Sequence, residues 1–125
     1  MGFLSTLHAL LSYLGFAATL FWAGAILVGA GDINRFDALY RKSAMAAMAL
    51  VGLSAIFGLI LTFLGPFAAW VFPWAGLVCV ALHGILGKRA KVALYAMKTG
   101  SALKLAALQI VVLIIAMGLM GAKPF

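Results

Sequence analysis

Between Leu4 and Met120 the sequence consists of four long apolar runs, at about 4–29, 43–64, 70–86 and 101–120, with most charges gathered between them. About 20 apolar residues is the length at which a helix crosses the hydrocarbon core of a bilayer. There every backbone N–H and C=O must find a partner within the protein, which leaves helices or a closed barrel. Barrel strands would alternate over roughly ten residues between turns; these runs are continuous and about twice as long. The expected fold is all-α: an integral membrane, antiparallel four-helix bundle, a single transmembrane domain over 1–125. Composition agrees, with 67% hydrophobic and 9% charged residues and a mean hydropathy of +1.24, where a soluble domain has roughly 45–50% and 25%.

Punctuation supports the division. Gly65-Pro66 ends the second run, because proline cannot continue the hydrogen-bond ladder, and Pro73 is tolerable in a first turn. The first run has no basic n-region or clear cleavage site and is too long for a signal-peptide core, so it is kept as a span. Met1-Gly2-Phe3-Leu4-Ser5-Thr6 loosely fits a myristoylation pattern. It is set aside because the topology puts that end outside the cytosol.

That topology rests on the charges. Eight of the nine Lys and Arg lie in a polar loop, Asp32 to Lys42, in a basic loop holding Lys88, Arg89, Lys91 and Lys98, or at Lys104; the loop after the second run has none. Excess Lys and Arg mark cytoplasmic loops. Both termini are therefore expected outside the cytoplasm of a bacterial inner membrane, with Trp70 and Trp74 at the outer interface. The net charge of +7 reads as topology and headgroup attraction by Arg41, Lys42, Lys88, Arg89 and Lys91, and no nucleic-acid partner is expected. The expected partners are the lipid bilayer and either further copies of the chain or a larger membrane complex. Ser54 with Gly58 and Ala102 with Ala106 are small-xxx-small pairs, and Gly24, Gly29, Gly52 and Gly118 are further expected points of close helix approach.

Chemistry has few places to reside. Asp32 and Asp37, the only acids, fall in a loop, so no embedded carboxylate serves proton or cation transport, and paired-carboxylate catalysis is excluded. Cys79 lies in an apolar run and reads as a small buried hydrophobe. Embedded ionisable groups are expensive, which leaves His8 and His83 as candidates. His8 is expected near the outer face and His83 one turn from the inner end of the third helix. They would lie roughly 20 Å apart by helical rise, too far to share one iron or copper ion. Met117 and Met120 are expected at the depth of His8, Met45 and Met48 at that of His83. Imidazole and thioether ligate haem iron and copper; each histidine could equally bond a carbonyl or a headgroup.

His8 followed by Phe16-Ala17-Ala18 and Leu20-Phe21, Arg41, Gly58-Leu59, Leu82-His83-Gly84 and the terminal Lys123-Pro124-Phe125 resemble the pattern of the HemJ-type protoporphyrinogen oxidases, and more loosely the CopD-like copper-resistance membrane proteins. The family's Asn-Glu-x-Pro before helix four falls on Ala106-Ala107-Leu108-Gln109. The resemblance implies a four-helix membrane fold, association with haem b or a porphyrin on His8 and His83, and protoporphyrinogen oxidation if the chain is an enzyme; by depth, each histidine would serve a different iron, with Met45 and Met117 as companions. Two other readings stand beside it: a non-catalytic small subunit of a larger membrane complex, and a copper-handling membrane protein.

Overall fold

The computed structural model describes residues 2–122 and is all-helical, with four helices: α1 (Gly2–Gly29), α2 (Ile33–Leu64), α3 (Phe72–Tyr95) and α4 (Thr99–Ala122). The Lys123-Pro124-Phe125 ending lies outside the described residues, as does Met1. α1, α2 and α4 are long and apolar enough to cross a membrane. α3 is not among them, because its apolar run carries Pro73, Trp74 and His83 and continues into Lys88 and Arg89.

Both polar loops are largely helix. Asp32 caps α2, its side chain accepting from Arg35 N–H at 3.3 Å, an oxygen that satisfies one of the orphan donors of the first turn. Asp37 pairs with Arg41 one turn on at 2.8 Å. The stretch 33–42 therefore winds into α2, which kinks at the non-helical dihedrals of Phe36. Lys88, Arg89 and Lys91 likewise lie on α3, since long straight-chain residues lose little rotamer freedom in a helix. His83 consequently sits mid-helix, about three turns from the end of α3 instead of one. The connections shrink to 30–32, 65–71 and 96–98. Ala30, Gly31 and Met97 turn the chain at positive φ (50°, 78° and 65°), conformations that cost least at the glycine.

α1 packs most extensively on α2 and α3 on α4, while the α2–α3 seam is thinnest. Close approach depends on glycines other than most of those expected. Nothing lies within 4 Å of a Cβ built at Gly24, Gly52 or Gly118, whereas one at Gly15 would stand 2.8 Å from Val51 Cγ2 and 3.1 Å from its backbone N. Gly29 is the expected glycine that does serve, lying against the Tyr40 hydroxyl. Ala102 and Ala106 are fully buried, as a small-residue face requires. The core gathers Trp22, Ile26, Tyr40, Ala90 and Leu94 with these two alanines, toward the end where α1 meets α2. At the other end Phe67, Trp70 and Phe72 stack edge to face at 5.5–5.9 Å between centroids, and Phe63 meets Trp74 at 5.8 Å.

Candidate functional site

The two histidines belong to separate hydrogen-bonded sets joined by different helices. His8, part-buried on α1, donates from Nδ1 to the Ser54 carbonyl of α2 at 2.8 Å. Ser12 donates back to the His8 carbonyl at 2.8 Å and bonds the Ser54 hydroxyl. A carbonyl can only accept, so Nδ1 carries the hydrogen and the Nε2 lone pair is left over. The Cε1 edge of the ring lies against Gly58, where a Cβ would stand 2.8 Å from Cε1. The Ser54–Gly58 pair thus makes room for an imidazole as well as for a helix backbone.

His83, 1% exposed, lies in a buried polar set with Thr19, Trp22 and Gln109. The Thr19 hydroxyl donates to the Gly15 carbonyl at 2.8 Å, so its oxygen accepts from His83 Nε2–H at 3.0 Å. Gln109 Nε2 donates to the His83 carbonyl at 3.1 Å, and Gln109 Oε1 accepts from the Trp22 indole at 3.1 Å. Every fully buried side-chain polar atom among the described residues has a partner, as interior polar groups must. The set ties α1, α3 and α4 together. Thr19 is eleven residues beyond His8 on α1, about 16 Å by helical rise, so the histidines serve separate places, as expected.

Beside this set the thin α2–α3 seam opens into a cleft of about 800 Å³. Its walls include Met45, Met48 and Ile85; Trp22 and Gln109 line it from α1 and α4, and Lys88 and Lys91 lie on its α3 side. His83 does not line it. Met48 packs its sulfur at Gly87 beside Gln109, and Met45 is 69% exposed. Met117 is half-buried on α4, and the Met120 methyl lies against Gly76 of α3. Cys79 is buried, and no group of three or more His, Cys, Asp or Glu able to hold a metal ion occurs among the described residues.

Tested against haem, the donor and the space do not coincide. His8 has the free Nε2 of a metal-binding imidazole but does not line this cleft. His83 stands next to the cleft with Nε2 committed to Thr19. What the cleft offers a tetrapyrrole is apolar walls, thioethers and two ammonium groups, a set that fits a porphyrin's face and carboxylates better than a histidine–iron bond.

The sequence reading overlooked Thr19, Trp22 and Gln109. Gln109 carried a legible signal: it is the chain's one glutamine, set in the middle of an apolar run, and an amide is as costly there as an imidazole unless bonded. No protein-family profile, curated protein or solved structure matches this chain.

Proposed function

We propose that the chain is a HemJ-like, antiparallel four-helix integral membrane protein that holds a porphyrin or haem in the α2–α3 cleft. The observation that carries this reading is the cleft itself: about 800 Å³ of apolar space with Lys88 and Lys91 at its side and the Gln109 amide within it. A flat apolar ring would fill the space, and two ammonium groups would pair with its carboxylates. The membrane placement is supported by three helices of spanning length and by exposed Leu27, Val28, Phe63 and Ile114, side chains suited to lipid. The antiparallel arrangement is supported by the pairing of His8 with Ser54, Gly15 with Val51 and Gly29 with Tyr40, in which α1 advances as α2 recedes. Binding is the activity proposed; the cleft presents lysines and an amide but no carboxylate for proton transfer.

The test is an optical spectrum of the detergent-purified protein, oxidised and reduced, after expression with ample haem, and a titration with protoporphyrin. The expected result is a Soret band kept by wild type and by His83→Ala and lost in Lys88→Glu/Lys91→Glu. A band lost in His8→Ala or His83→Ala alone would move the site to that histidine and overturn the cleft assignment. A flat spectrum in both experiments would overturn tetrapyrrole binding altogether.

A second reading, a non-catalytic small subunit, is favoured by the use of both imidazoles in helix-to-helix bonds.

A further inference from the structure

On the last turns of α3 a second, smaller cleft of about 460 Å³ runs from Ile85 to Lys98. Its apolar part is Ile85 and Val92, one above the other at i and i+7 and 53% and 63% exposed, with Ala93 and Ala96. Its polar part is Lys88, Arg89 and Lys98, all exposed.

No acid balances these cations. Asp32 caps α2, and Asp37 takes both Arg41 and the Tyr95 hydroxyl. Arg41–Asp37 is the ion pair found among the described residues; of α3's basic side chains it is Lys91 that acts on Asp37, and Lys88, Arg89 and Lys98 are in no ion pair among the described residues. Lys88, Arg89 and Lys98 thus form an uncompensated positive cluster at the edge of an exposed apolar strip. That juxtaposition matches an amphiphile whose anionic group sits at the level where its chain begins. A soluble anion would leave Ile85 and Val92 uncovered; an uncharged lipid would leave three cations unpaired.

We infer that this cleft binds one anionic phospholipid, its phosphodiester held by Arg89 and Lys98 with help from Lys88 and an acyl chain laid along Ile85 and Val92. Arginine suits the phosphate because its planar fork can donate two parallel hydrogen bonds. The site is separate from the α2–α3 cleft: Arg89, Val92 and Lys98 belong to it alone, Lys91 to the other alone, and Ile85 and Lys88 border both.

The test is native mass spectrometry of the full chain released from detergent, titrated with phosphatidylglycerol, with phosphatidylcholine, and with inorganic phosphate as competitor. Wild type is expected to keep one phosphatidylglycerol under activation that strips phosphatidylcholine. Arg89→Gln/Lys98→Gln is expected to bind phosphatidylglycerol about thirtyfold more weakly, in line with the pull of two basic side chains on an anionic headgroup. Lys91→Gln should leave that binding unchanged. Because Lys98 lies in the α3–α4 turn, Val92→Ser, on the exposed strip of α3, provides a second probe clear of that turn and should also weaken the adduct. Equal retention of the two lipids, full retention in Arg89→Gln/Lys98→Gln, or displacement by millimolar phosphate would overturn the inference, the last by making this a site for free anions. Replacement of the lipid adduct by a dimer of the chain would overturn it in favour of a contact between copies.

Discussion

The indole of Trp22 on α1 donates to the side-chain oxygen of Gln109 on α4 at 3.1 Å, with both residues at most 1% exposed. The same amide donates through its nitrogen to the His83 carbonyl. One glutamine thereby joins three helices and lines the larger cleft. Gln109→Leu would leave the indole N–H buried without an acceptor, a loss of about 1–3 kcal/mol. Trp22→Phe added to it removes the orphaned donor, and replacing both partners by apolar groups can be nearly neutral. The double variant is therefore expected to recover part of the stability that Gln109→Leu loses, measured by unfolding with dodecyl sulfate in mixed micelles.

The α1–α2 contact should depend on Gly15 and not on Gly24. Gly15→Ala drives a methyl into the Val51 side chain and toward its backbone nitrogen, and backbone cannot swing away. Overpacking of this kind costs typically about 1–3 kcal/mol. Gly24→Ala meets open space and removes a flexible residue from a helix, so its melting midpoint should equal or exceed that of wild type. Thermal melting of both variants in one detergent checks the pair, and a tolerant Gly15→Ala would refute the close approach.

His8 and Gly58 should behave as one unit. An alanine at Gly58 would push the ring off its position at Ser54, where an interhelical bond in a membrane is worth on average about 0.6 kcal/mol. Gly58→Ala should therefore be destabilising in wild type and close to neutral in a His8→Ala background. Equal effects in both backgrounds, read from the same unfolding assay, would mean that the ring does not rest there.

How much of this was legible in the sequence differs by element. The apolar runs located all four helices, because a long apolar helix leaves a signal many residues long. The starts and ends were less readable. Asp32 to Lys42 looks like a loop by polarity, yet a cap at Asp32 and an i,i+4 pair at Asp37 and Arg41 are local helix signals within it. The basic stretch after Gly87 looks like a break by its charge, although lysine and arginine are good helix formers. His8 and His83 were identifiable as costly embedded groups. Their partners were not, since Thr19 and Ser54 meet them only after distant turns of chain come together, and the cleft arises from the thinness of one seam, which no single run encodes.

The tie between Tyr95 and Asp37 at the turn end of the fold makes stability depend on pH. The Tyr95 hydroxyl on α3 donates to the Asp37 carboxylate on α2, and this bond, with the Arg41 guanidinium adding to it, holds the carboxyl below its ordinary value of 3.8. Burial and the same carboxylate push the Tyr95 hydroxyl up to about 12 from 10.0. A lowered carboxyl contributes stability that is present above its unfolded value and is lost as pH falls through the folded one; a raised phenol contributes stability that is present below 10.0 and is lost as pH rises through about 12. The tie between α2 and α3 is thus at full strength from about 3.8 to 10.0. Melting followed from neutral pH downward should show a drop below that lower limit. In Tyr95→Phe the neutral-pH midpoint should be lower and the acid drop shallower, because the carboxyl loses its strongest stabilising partner while keeping Arg41. Since this tie closes the thin α2–α3 seam, the same variant should also loosen whatever the larger cleft holds. An acid limb identical in wild type and Tyr95→Phe would show that the hydroxyl does not reach Asp37.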